Sequence, residues 1–188
     1  MTFIVMSISP DGDAAWISAD SVLSHAETNE RAGNVQKALS IPGRFIFADS
    51  GDGQTRDVIA LAATESADVD AMGDVLPRLF ASFPRSLRDR PWFAVWAGWS
   101  PSLRRIVGFT SSTSEMTPAA ILSHHIASPP LDATYMLAFV DARIAEAHEH
   151  MARRAMARMP SIGGTLHMAK IDPHGIVIRD VCDLDRKG

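Results

Sequence analysis

The sequence predicts an α+β fold. The expected form is a four-layer αββα sandwich, two antiparallel sheets covered by helices, built as a single domain over residues 1–188. Three observations predict it. Apolar segments of strand length come in pairs joined by short turn sequences, as hairpins do and parallel crossovers do not. Helix-period segments stand in blocks between those pairs. The Trp-rich segment Pro91–Trp99 is apolar on both of its faces, as a strand is when a layer covers each side.

Phe3–Ser9 carries β-branched and aromatic residues with partial alternation and reads as a strand. Ser9-Pro10-Asp11-Gly12 turns the chain, and Ala14–Ser18 returns as a second strand that delivers Asp20 at its end. Residues 21–34 are polar and mixed and read as a loop or a frayed turn. Val35–Leu39 is a short strand or edge segment whose Lys37 has apolar neighbours. Pro42-Gly43 turns the chain into a buried strand, Arg44–Ala48, which runs into the bend Asp49-Ser50-Gly51-Asp52-Gly53. Thr55–Thr64 reads as a helix begun by Gln54 or Thr55. Asp70–Phe83 reads as another, with Val75, Leu76, Leu79, Phe80 and Phe83 at helical spacing. Arg85, Arg88 and Arg90 make a solvated basic loop.

Pro91–Trp99 and Leu103–Ser111 form a second hairpin, with Trp92, Trp96 and Trp99 expected in core packing. Thr117-Pro118 is a helix start or a loop corner. Ile121–Ile126 contains His124-His125, and Ser128-Pro129-Pro130 breaks the chain. Asp132 caps a long helix to about Arg158, with an apolar stripe of Met136, Val140, Ile144, Ala147, Met151 and Ala155. Pro160 stops it. Ser161-Ile162-Gly163-Gly164 leads into the strand Thr165–Ile171, and Asp172-Pro173-His174-Gly175 turns it into Ile176–Val181. The tail from Asp185 is expected to fray.

Composition narrows the function classes. Lys plus Arg is 18 against 22 for Asp plus Glu, a net charge of −4 that gives no reason to expect nucleic acid or an anionic membrane as partner. No apolar run approaches a membrane span, and no secretory signal precedes the first strand. Cys182 is the only cysteine, so a disulfide framework is excluded and a reducing cytoplasm is the expected location.

Chemistry concentrates at the start. Met1 precedes Thr2, a small residue, so Met1 is a candidate for removal. Removal leaves Thr2 with a hydroxyl and a free α-amine, a nucleophile and a base on one residue. Met-Thr is also a common way to begin a chain, and the weight falls on Asp20, Lys37 and Gly51 further along. Taken alone, Asp20 suits a strand-end acid capping a turn, Lys37 a surface lysine on an edge strand, and Gly51 simple turn geometry.

In order and spacing these residues resemble the proteasome β-subunit type of N-terminal nucleophile hydrolase, as a divergent bacterial member. The resemblance rests on Thr2 at the head of the first strand, Ile17-Ser18-Ala19-Asp20-Ser21, Gly33-Asn34-Val35-Gln36-Lys37, Gly43-Arg44-Phe45-Ile46-Phe47-Ala48, the bend at Ser50-Gly51, and Ile162-Gly163-Gly164. It implies roles. Thr2 Oγ1 attacks an amide carbonyl while its α-amine, ordinarily of pKa about 7.7–8.0, takes the proton. Lys37 stands beside Thr2 as a cation, and Asp20 pairs with Lys37. The Gly51 N–H faces the oxyanion. Ser128 stands where the family has a serine near the nucleophile. The resemblance also implies a peptide or amide substrate and a homo-oligomer, with no cofactor. An ATP-dependent unfoldase partner stays open. A catalytically silent relative, acting in assembly or binding, is the alternative. Two departures mark the chain: Ser128-Pro129-Pro130 replaces a Ser-Gly-Gly type turn, and Ile162 stands at a family serine position with no Asp three residues before it.

Other constellations are weaker. His148-Glu149-His150 lacks the four-residue step that puts two metal ligands on one helix face, and reads as a surface or inter-subunit feature. His124-His125 has no identifiable metal partners. The Met residues at 136, 151, 156, 159 and 168 read as core or subunit contact.

Overall fold

A computed structural model of the protein describes residues 2–24, 30–121, 125–128, 144–159 and 161–186, with 119, 120 and 125–128 described by backbone alone. The first half of the chain gives β1 (Ile4–Ile8), β2 (Ala15–Asp20), β3 (Val22–Ser24), β4 (Arg31–Asn34), β5 (Ala38–Ile41), β6 (Phe45–Ser50), α1 (Gly53–Glu65), α2 (Val69–Ser82) and α3 (Arg85–Arg88). The second gives β7 (Phe93–Ser100), β8 (Arg105–Ser112), β9 (Ala119–Ile121), β10 (His125–Ser128), α4 (Ile144–Arg158), β11 (Thr165–Asp172) and β12 (Gly175–Asp183). The predicted α+β class holds. Two five-stranded sheets run β10-β1-β2-β11-β12 and β5-β6-β7-β8-β9, β3 and β4 form a separate hairpin, and every pairing is antiparallel.

Strand alternation sorts side chains into three apolar layers. In β1 and the residue before it, Ile4, Met6 and Ile8 face the β5–β9 sheet, where they join Ile17, Ile46, Val95, Ala97 and Ile106. Phe3 and Val5 face the other way, onto Met151, Ala152 and Ala155 of α4. On the far sheet, Phe45, Phe47, Trp96 and Val107 meet Ile59, Met72, Leu76 and Phe80 of α1 and α2. The sheet-to-sheet layer is rich in small residues. A Cβ on Gly108 would stand 2.7 Å from the terminal carbon of Met6, so glycine sets the local approach of β8 to β1.

Capping fixes where the helices begin. Asp52, rather than Gln54 or Thr55, caps α1 by accepting from the Thr55 N–H at 2.9 Å, and Asp68 caps α2 through Ala71 N–H at 2.8 Å. Arg90 binds the Asp52 carboxylate and donates to Gln54 Oε1 at 3.1 Å, so it staples this cap instead of standing free in a basic loop.

Several expectations are corrected. Residues 21–34 supply β3 and β4, because Asn34 and Gly33 pair back on Val22 and Leu23. The strand expected over Val35–Leu39 begins at Ala38, which leaves Lys37 at its mouth. Residues 85–88 form α3, and Trp99 is 52% exposed whereas Trp92 and Trp96 are buried. Of the two alternatives at Thr117-Pro118, the loop corner holds, and Pro118 leads into β9. The tail is tied through residue 186: Leu184 N–H donates to the Gly164 carbonyl, and Arg31 grips Asp185 at 2.6 and 2.9 Å. Met1, His124, Pro129, Pro130, Asp132, Met136, Val140 and Pro160 lie outside the described residues.

Candidate active site

The end of β2 lies beside the start of β1. In the β1–β2 register Ile4 stands opposite Ala19, and Phe3 and Asp20 continue the ladder through the Asp20 N–H bond to Phe3 O at 3.2 Å. The Asp20 carboxylate then turns onto the backbone. Its Oδ1 accepts from Phe3 N–H at 2.9 Å and its Oδ2 from Gly163 N–H at 3.2 Å. Lys37 Nζ donates to the same Oδ1 at 3.1 Å and also to the Val22 carbonyl. Acid and base are 0% and 1% exposed in their side chains. The two residues expected to pair do pair, one residue from Thr2. A surface lysine on an edge strand and an acid that merely caps a turn are both replaced by a buried ion pair that fastens the amino end, the 163 bend and the β3 strand together.

Removal from water sets the electrostatics. Burial raises the Asp20 pKa above its ordinary 3.8, against the opposing pull of Lys37 and the two amides. Burial lowers the Lys37 pKa below its ordinary 10.5, against the attraction of Asp20. Both shifts run opposite to what ion pairing alone gives, and for one reason: each charge loses more hydration than its partner returns. Lys37 therefore holds its proton less firmly than an ordinary lysine.

Thr2 is buried at 8% exposure, directly before the Phe3 amide that Asp20 holds. Gly51 lies at the bend between β6 and α1. A Cβ there would come within 2.2 Å of Thr55 Oγ1 and 3.2 Å of Trp92 Cβ, so the bend needs a residue without a side chain for internal reasons. Ser128 ends β10 opposite Ile4, which brings its backbone to the same end of β1, while its side chain lies outside the description.

Two groups take places that the sequence reading did not give them. Asp49, expected only as part of a bend, is 2% exposed and pairs with Arg56 Nε at 2.8 Å. Arg56 adds to the lowering of the Lys37 pKa and Asp49 opposes it. The local signal was an acid seven residues before an arginine across a helix start, too common to single out. The second group is His148. It is not a surface residue: it is 0% exposed, with Nε2 2.7 Å from Ser7 Oγ and Nδ1 2.8 Å from Ser18 Oγ. Its position between Ala147 and Met151 of the apolar stripe was the available signal. Ile162, at the expected serine position, is 0% exposed and packs with Phe3 and Leu166.

Among the described residues no group of three or more His, Cys, Asp or Glu side chains is placed to hold a metal ion. No helix among them is long and apolar enough to cross a membrane. A scan against protein-family models finds no match, and a search of curated proteins finds none either.

Proposed function

We propose that the chain is an N-terminal threonine hydrolase of proteasome β-subunit type that cleaves amide bonds once Met1 is removed. On this reading the fold is the four-layer αββα sandwich of the N-terminal nucleophile hydrolases. The protein works in the cytoplasm as a homo-oligomer on peptide or amide substrates, and an ATP-dependent unfoldase stays open as a further partner. The observation that carries the reading is the buried Lys37–Asp20 pair bonded to the amide of Phe3. A buried ion pair is costly, and this one is bonded to the amide that follows Thr2, the nucleophile on this reading. Thr2 Oγ1 attacks the carbonyl carbon and its proton passes to the α-amine. The amine product then leaves with that proton, and water cleaves the resulting ester to restore Thr2. Lys37 keeps a positive charge beside the amine, which disfavours its protonation and favours the developing alkoxide.

The test begins with intact mass, which should show the native protein without Met1. That protein should hydrolyse N-capped fluorogenic peptide amides, and Thr2→Ala should abolish the activity. Turnover that survives Thr2→Ala ends the proposal. Loss in Gly51→Ala would not discriminate, because an added methyl collides with Thr55 whatever the role of the Gly51 N–H.

A second reading, a silent relative acting in assembly or binding, is favoured by one observation. Ile162 fills a core position where the resemblance calls for a serine hydroxyl. A native protein that retains Met1 and is inert toward amides points to it.

A further inference from the structure

At the end of the sheets away from Asp20 and Lys37, the β1–β2, β5–β6, β7–β8 and β11–β12 turns surround a cleft of about 550 Å³. Ile106, Ile171 and Ile176, from the edge of the inter-sheet core, give it an apolar side. A cleft of this size, apolar with a few fixed polar groups, has the form of a small-molecule site. Trp99 continues the inward face of β7 after Val95 and Ala97 and pairs with Ile106, yet it lines the cleft and stands 52% exposed. Arg104 lines the cleft with φ 54°, the left-handed region, where it is the one non-glycine among the described residues. Its turn is fixed. Arg104 N–H donates to the Ser100 carbonyl at 2.8 Å, and Asp70 of α2 accepts from the Ser100 and Ser102 hydroxyls at 2.9 and 2.8 Å. The Arg104 guanidinium has no hydrogen-bond or ion-pair partner among the described residues. Arg44 and Arg105 also reach the cleft, but Arg44 donates to the Thr64 and Ser66 carbonyls and Arg105 to that of Pro10. Of the acids there, Asp172 is met by Lys170 and Asp13 by the Ser9 hydroxyl.

We propose that this cleft binds a small aromatic monocarboxylic acid, its ring against Trp99 and the isoleucines and its carboxylate on Arg104. An indole face beside aliphatic side chains favours a planar apolar ring. A guanidinium offers paired donors that match a carboxylate. Asp11 also lines the cleft and repels anions, so a single negative charge is accepted where a polyanion is not. A side chain held in the left-handed region costs stability, and such strain concentrates where a ligand is gripped. The site lies apart from Thr2, and nothing in it depends on the hydrolase reading.

The full-length protein, isotope-labelled for NMR, is titrated with naphthoate and with its neutral counterpart naphthamide while the indole N–H signals are followed. The Trp99 signal, assigned through Trp99→Phe, should shift saturably, and those of the buried Trp92 and Trp96 should stay in place. Naphthoate should bind at least roughly tenfold more tightly than naphthamide. Arg104→Gln should bring naphthoate down to the affinity of the amide and leave the amide unchanged. Arg104→Gly should do the same with no loss of melting temperature, because glycine takes a φ of 54° freely. Trp99→Ala should weaken both ligands. No saturable shift at Trp99, equal affinity for acid and amide, or a gap that survives both Arg104 variants overturns the assignment. So does a peptide with a free carboxyl-terminal Phe that binds more tightly than naphthoate, since the occupant would then be a chain end and not a small acid.

Discussion

Lys37 carries its charge into a place where 1% of its side chain meets solvent, and Asp20 is its counter-charge. Removing one partner leaves the other charged and dry, so Lys37→Met should destabilise the fold by about 3–5 kcal/mol in denaturant unfolding. The double variant Asp20→Asn/Lys37→Met should recover part of that loss, because no buried charge remains. A double variant no better than the single one would mean that the carboxylate's bonds to the Phe3 and Gly163 amides, not the ion pair, carry the stability. Linkage fixes the pH sign. The folded Lys37 pKa lies below 10.5, so between that value and 10.5 the unfolded chain holds more protons and the Lys37 contribution rises with pH. It is fully present above 10.5 and lost as pH falls through the folded value. Asp20 runs the other way: its contribution is full below 3.8 and is lost as pH rises through its raised folded value. The difference in unfolding free energy between wild type and Lys37→Met should therefore grow with pH in the alkaline window.

Helix α4 docks through a mixed surface. Ala147, Met151, Ala152 and Ala155 make it apolar, and His148 adds a polar bridge to β1 and β2 through the Ser7 and Ser18 hydroxyls. His148→Leu keeps bulk but removes the shared partner of two buried hydroxyls, which should lower stability by about 1–3 kcal/mol. Protection of α4 amides from hydrogen exchange should fall more than that of α1 and α2. Uniform loss of protection across all three helices would show that α4 has no separate docking equilibrium. The element also explains a misreading. The step from His148 to His150 is too short for shared metal ligation, and a polar trio on a helix reads as a wet face. Yet the preceding alanine and the methionine three positions later already placed His148 on the buried side.

At the scale of the molecule, the distance between the sheets is set by small residues. Ala15, Ala19, Ala38, Ala48, Ala97 and Ala169 populate the layer between them, and Gly108 admits Met6. Gly108→Val should act as a wedge, with overpacking that costs about 1–3 kcal/mol and a lowered melting temperature. The compensating change Met6→Ala in the same chain should restore some of the loss, since the wedge meets the Met6 side chain rather than backbone. Failure of Met6→Ala to help would place the strain on Ile8, whose Cδ1 lies 2.9 Å from the same Cβ position.

What the sequence determined by itself is what depends on neighbours along the chain. The period of two in β1, the Pro-Gly punctuation of the hairpins, the apolar stripe of α2 and the apolar faces around Trp96 are all local signals. They were enough for the class of fold and for the hairpin pairing. Asp20 and Lys37 were also legible as candidates, but only through the order and spacing that carry the family resemblance; by themselves they read as a turn acid and an edge-strand lysine. The tertiary structure decided which polar residues lost their water. Asp20 meets Gly163 across 143 positions, and His148 meets Ser7 across 141. Asp49 looked like a turn acid until α1 laid Arg56 over it. Desolvation is a sum over atoms brought in from remote segments, and no window of sequence contains those atoms. The same polar residue therefore reads as wet in the chain and stands dry and paired in the fold.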